Sequence, residues 1–159
     1  MTTFDTSQPF TLTAFRRSEI DEASIATLVD RFYDKVRADG ELGPVFNRVV
    51  EDWPAHKLIL CHFWSSLVLR TGRYQGNPMG IHRALPPFPK ALFHRWLALW
   101  RETAGQVFEE AAAATFIGAA ERVAQGLSLG LNLGSLANEP TPSVLGSLRI
   151  VSGPSRNND

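Results

Sequence analysis

The 159-residue chain reads as an all-α protein. Apolar residues recur at i, i+3, i+4 and i+7 through most of residues 20–131, the spacing of one helical face. Nowhere in that stretch do apolar and polar residues alternate as a half-buried strand requires. The gaps between periodic segments carry helix-stop and helix-start residues in the right order.

In the first helix, Ile25, Leu28, Val29, Phe32 and Val36 fall on one face. Asp21 with Ser24 supplies start chemistry, and Asp39-Gly40 supplies the stop. A second helix begins near Trp53, with Pro54 accepted in its first turn because the missing N–H has no helical partner there. It runs through Ile59, Leu60, Phe63, Trp64, Leu67 and Val68 to Arg70, and Gly72 ends it. Asn77-Pro78 reads as the cap and first position of a short helix carrying His82. Leu85-Pro86-Pro87-Phe88-Pro89 then breaks it. A third long helix holds Leu92, Phe93, Trp96, Leu97, Leu99 and Trp100 and reaches about Phe108. A fourth holds Phe116, Ile117, Ala120, Val123, Ala124, Leu127 and Leu131. Four principal helices are expected, preceded by an irregular arm over residues 1–19 and followed by a flexible tail over 132–159. In that tail Leu145, Leu148, Ile150 and Val151 interrupt a Gly-, Ser-, Pro- and Asn-rich composition.

Composition narrows the function. Sixteen basic residues balance sixteen acidic ones, which disfavours a nucleic-acid binder, since such proteins carry a basic excess. Cys61 is the single cysteine, so neither an internal disulfide nor a cysteine cluster for metal is available. Met1–Phe10 lacks the basic start and apolar run of a secretory signal. No stretch of roughly 18 or more apolar residues exists to span a membrane. A cytoplasmic protein is the expectation.

Among the four histidines, His56, His62, His82 and His94, no zinc-type spacing occurs. His56 and His62 are six apart and fall on different faces of one helix. His56 continues the stripe Leu60, Phe63, Leu67, whereas His82 stands in its own short helix before the prolines. Two histidines reaching one cavity from separate helices suit an axial iron site, in which one imidazole nitrogen ligates and the other finds an acceptor. Phe32, Phe46, Phe63, Phe88, Phe93 and Trp96 can line the flat slot a porphyrin needs. The same residues also suit structural histidines in an aromatic core, and spacing does not decide between the two. Spacing alone favours Tyr33 as a core tyrosine whose hydroxyl finds a carbonyl, and Trp96 with Trp100, four apart, as core packing rather than a binding box. His62 and His94 read as partly exposed polar positions, and Cys61 as a packing residue. Arg16, Arg17, Lys57, Arg70, Arg73 and Arg83 read as solvated surface, although porphyrin propionates need one or two such partners.

Taken together, seven segments resemble group III truncated haemoglobins. They are Phe32-Tyr33-Asp34-Lys35-Val36-Arg37, Leu42-Gly43-Pro44-Val45-Phe46, Trp53-Pro54-Ala55-His56-Lys57, His62-Phe63-Trp64 and Tyr74-Gln75-Gly76-Asn77-Pro78. His82-Arg83-Ala84-Leu85-Pro86-Pro87-Phe88-Pro89 and Phe93-His94-Arg95-Trp96-Leu97 complete the set. The likeness spans about residues 22–131, and the paired-glycine motifs of the other truncated groups are absent. It implies a truncated globin with a two-over-two helical sandwich and haem b, its iron bound by His82. Phe46, Phe63, Phe88, Phe93 and His56 would contact the cofactor, with Phe46 as the wedge. Tyr33 and Trp96 would donate hydrogen bonds to a diatomic ligand, with Leu60 beside it and His56 as a gate. A phenol and an indole N–H suit the partial negative charge on bound oxygen. Gly80 departs from what a rigid proximal helix wants, and no family role transfers to the arm or the tail.

Three functions follow as expectations: a haem protein binding oxygen, nitric oxide or carbon monoxide, with a reductase as possible partner; a haem enzyme turning over nitric oxide or peroxide; and a haem-free helical interaction protein.

Overall fold

A computed structural model describes residues 16–137. The described residues form six helices: α1 Glu22–Ala38, α2 Gly43–Val49, α3 Trp53–Val68, α4 Pro78–Arg83, α5 Ala91–Val107 and α6 Glu110–Gly130. The four long helices and the short one before the prolines stand where periodicity places them, and α2 is additional. The main packings are α5 on α6 and α1 on both α3 and α5, giving a two-over-two sandwich. No described helix is long and apolar enough to cross a membrane.

Local chemistry sets each boundary. At the start of α1 the Asp21 carboxylate accepts from the Ser24 amide at 2.7 Å, and the Ser24 hydroxyl accepts from the Asp21 amide at 2.9 Å. This reciprocal box satisfies two otherwise orphaned donors. Ile25, Leu28, Val29, Phe32 and Val36 are all fully buried, each contributing about 1.5–3 kcal/mol of apolar transfer energy. The Asp52 carboxylate caps α3 by accepting from the Ala55 amide at 3.0 Å. Asn77 caps α4 through the Gly80 amide, also at 3.0 Å. Gly80 turns out to serve that cap: a Cβ there would lie 2.7 Å from the Asn77 side-chain nitrogen.

The short helix α2 begins where α1 ends. The Asp39 carboxylate accepts from the amides of Glu41 and Leu42 at 3.1 and 3.0 Å, and its other oxygen takes two bonds from Arg95 at 2.9 and 2.6 Å. Gly43 then passes so close to α1 that a Cβ would sit 2.7 Å from the Arg37 carbonyl oxygen. Glycine is therefore required at this corner by close approach.

Aromatic rings fill the interior between the helix pairs. Trp100 stacks on Trp64 with centroids 4.4 Å apart, and its indole N–H donates to the Phe116 carbonyl at 3.0 Å. Phe108 stacks on Phe116 at 4.8 Å. Near the chain's start, the Arg17 amide donates to the Val107 carbonyl at 2.8 Å, and its own carbonyl accepts from Glu109 at 2.9 Å. At the far end Leu133 and Leu136 pack against the core. Residues 1–15 of the expected arm and 138–159 of the expected tail, including Leu145, Leu148, Ile150 and Val151, lie outside the described residues.

Candidate functional site

Between the helix pairs lies an apolar cavity of about 580 Å³, within the range of roughly 300–1,000 Å³ typical of small-molecule and cofactor pockets. Every principal candidate from the sequence reaches its wall: Tyr33, Phe46, His56, Leu60, Phe63, His82, Phe88, Phe93 and Trp96. They come from five helices and the proline segment. The spacing of a single helix could not have shown that convergence.

His82 lies on α4, which packs on α6, whereas Tyr33 lies on α1, which packs on α2, α3 and α5. The two side chains thus enter the cavity from different walls. The Nδ1 of His82 stands 2.6 Å from the Pro78 carbonyl oxygen. A carbonyl can only accept, so Nδ1 carries the proton and Nε2 keeps its lone pair. Orientation by a backbone carbonyl is how metal-ligating histidines are held. His82 is therefore equipped to ligate a metal.

The facing group is built on α1, α3 and α5. Tyr33 is only 3% exposed. Burial pushes its phenol well above the ordinary tyrosine value, and the polar N–H of the neighbouring Trp96 indole offsets part of that rise. The phenol is therefore protonated throughout the physiological range and able to donate. Its ring lies edge-on to Phe32 at 4.7 Å. Trp96 is held nearly parallel to Trp100, centroids 5.7 Å apart and planes 9° apart. His56 is half-buried, and burial lowers its pKa, which favours neutral imidazole at neutral pH.

Three apolar side chains on the cavity wall face outward from three helices: Val49, Ile59 and Ile81, which are 41%, 51% and 56% exposed. A flat apolar group seated between α2, α3 and α4 would cover them. Together with the aromatic walls and the free Nε2 of His82, they fit a planar metal-bearing cofactor.

Some expectations fail. Phe32 is fully buried in the core against Trp96 and Trp100 and does not line the cavity. The stripe His56, Leu60, Phe63 holds, but Leu67 lies past the cavity and is exposed. None of the basic residues considered as propionate partners lines the wall, whose charged members are Glu51 and Asp52. Lys57, expected on solvated surface, instead pairs with Asp30 and Asp34 of α1 at 2.7 and 2.8 Å. Arg73 reaches Glu22 at 3.4 Å. Further wall residues went unnoticed in the sequence. Tyr74 stands edge-on to Phe63 at 5.3 Å, and Val123 and Leu127 read there only as the core face of the last helix.

Comparison with known proteins adds two findings. Over 95 residues the chain is 42% identical to the group 3 truncated hemoglobin ctb of Campylobacter jejuni, covering 57% of this chain and 75% of that protein. The crystal structure of group III truncated hemoglobin from Campylobacter jejuni superposes with a TM-score of 0.69 at 34% identity, covering 79% of this chain and 99% of that one. No family model matches the chain.

Proposed function

The chain belongs to the group III truncated haemoglobins, and on that premise we propose that it holds haem b on His82 and reversibly binds a diatomic gas, oxygen or nitric oxide, beside Tyr33 and Trp96. The observation that carries this reading is the His82 imidazole, its Nδ1 fixed by the Pro78 carbonyl, sharing one cavity with the buried Tyr33 phenol and the partly buried Trp96 indole. When bound, haem supplies the iron centre at which the gas coordinates.

The chain's own residues do the rest. His82 presents Nε2 as the proximal ligand, and the bond from Nδ1 raises its basicity and fixes its ring. Phe46, Phe63, Phe88 and Phe93, all on the cavity wall, would hold the porphyrin and exclude water. The Tyr33 hydroxyl and the Trp96 N–H donate to a polar gas ligand, favouring oxygen over carbon monoxide. His56 would gate the entry of ligands, and Leu60 shares its face of α3 and its cavity wall. The lone Cys61 offers no C-x-x-C-H attachment motif, which fits non-covalent haem b. A single cysteine also fits a reducing cytoplasm, where a reductase would return the iron to its ferrous state.

The test is the spectrum of the purified protein and of His82→Gly. The wild type should carry a Soret band. The variant should lose the five-coordinate ferrous spectrum and regain part of it with added imidazole. A colourless wild type that ignores added haemin would refute the haem reading. Wild-type spectra in His82→Gly, with haem lost instead from His56→Gly, would reverse the two histidines.

A further inference from the structure

His56 is gripped by two rings, and only one of them belongs to the facing donors. The Trp53 ring stands edge-on to His56 with centroids 5.6 Å apart and planes 88° apart. Tyr33 meets the same imidazole at 6.1 Å, also at 88°. Tyr33 and Trp53 in turn contact each other at 6.0 Å. The Arg37 guanidinium carbon lies over the Trp53 ring, 5.0 Å from its centroid. Trp53 does not line the cavity, so it has no direct part in holding a ligand there.

The position of Trp53 is unusual for a packing residue. It occupies the first turn of α3, where four backbone donors lack helical partners and fraying is easiest. Yet the side chain is only 7% exposed. The Asp52 cap and Pro54 fix that turn, and the i, i+3 spacing puts Trp53 and His56 on one face. Arg37, near the end of α1, reaches across from the neighbouring helix. The two helix ends are thus joined through an indole that abuts the half-buried His56 imidazole on the cavity wall.

We propose that Trp53, backed by Arg37, is a positioning residue that holds His56 turned into the cavity and thereby sets how fast a gas ligand is admitted. This rests on the haem reading above. Loss of the strut frees the imidazole to swing outward, and the fraction of time the passage stands open rises. The effect should equal the lost contact: about two- to twelvefold for Trp53→Leu, the range of an aromatic pair. For Arg37→Met it should be about two- to fivefold, the range of an exposed cation–π contact.

The experiment is a double-mutant cycle on the haem-loaded protein. Carbon monoxide association after flash photolysis is measured for Trp53→Leu and Arg37→Met, each with His56 present and with His56→Ala. The ring proton resonances of His56 are followed by NMR in the diamagnetic carbon monoxide form. Association should quicken in both single variants, return close to wild type in Trp53→Phe and Arg37→Lys, and show no further gain once His56 is absent. The His56 ring resonances should shift in Trp53→Leu. Arg37→Met carries the test if Trp53→Leu folds poorly. Gains that persist undiminished in the His56→Ala background, or His56 resonances that stay fixed, overturn the strut. A wild type with no Soret band instead overturns the haem reading on which it stands.

Discussion

Replacing Tyr33 with Phe removes one oxygen atom and little else. The ring keeps its contacts with Phe32 at 4.7 Å, Phe46 at 6.0 Å and Trp53 at 6.0 Å, so the cavity wall stays in place. What goes is the donor. The Trp96 indole, the neighbour that offsets part of the rise in the phenol pKa, stays in place. A net hydrogen bond of about 0.5–1.5 kcal/mol predicts an oxygen off-rate about two- to twelvefold faster in Tyr33→Phe. Trp96→Phe should act in the same direction. Its effect should differ in the Tyr33→Phe background, because two donors that serve one ligand are coupled. Stopped-flow displacement measures both, with carbon monoxide as control, since it carries less charge and gains less from a donor. Equal acceleration for the two gases would point to altered access. No change for oxygen in either variant would refute the donor assignment and leave Tyr33 and Trp96 as packing residues.

Two further outcomes test the frame around the site. Gly43→Ala puts a methyl 2.7 Å from the Arg37 carbonyl oxygen. It should cost about 1–3 kcal/mol in urea unfolding as α2 shifts away from α1, and haem should dissociate faster because α2 carries Phe46. Asp39→Ala removes four hydrogen bonds and should cost about 2 kcal/mol at neutral pH. The Arg95 bond is the main reason that the Asp39 pKa lies below the ordinary 3.8. A lowered folded pKa means stability present above the unfolded value and lost as pH falls through the folded one. The wild-type and variant stability curves should therefore converge below pH 3.8; a gap that persists there would show that charge is not the cause.

The long helices were legible because each carries enough turns for its buried face to show in the spacing. The start of α4 was legible because Asn77-Pro78 combines a cap with a fixed φ. Helix α2 was not: seven residues are too few for a period to emerge, and Gly43-Pro44 reads equally as a turn. Phe32 and Tyr33 show a second limit. Neighbours on a helix differ by about 100°, no more than the width of a core-facing stripe. The sequence therefore could not say which of the two faces the core and which the cavity. Leu67 failed for a related reason: the stripe from His56 is real, but the cavity ends before the last turn of α3. The charged partners of Lys57 are 23 and 27 residues away in the chain, beyond the reach of any local pattern.

The division of α1 into a core-facing Phe32 and a cavity-facing Tyr33 has a mechanical consequence. Trp96 takes its orientation from groups that do not line the cavity, Trp100 and Phe116. Trp96 is set by its stack on Trp100, Trp100 by the Phe116 carbonyl, and Phe116 by the packing of α6 on α5. His82 is likewise set by Pro78, in the first turn of its own helix, which Asn77 caps. Close-packed interiors transmit displacement because they contain little free volume to absorb it. A change in the α5–α6 contact therefore moves the Trp96 N–H relative to the cavity, and a hydrogen bond weakens steeply with misalignment. On the proposed function, ligand chemistry is accordingly a property of the aromatic core as much as of the cavity wall: a cavity lined almost wholly by carbon would discriminate between gases through the few polar atoms on it, which are held from behind.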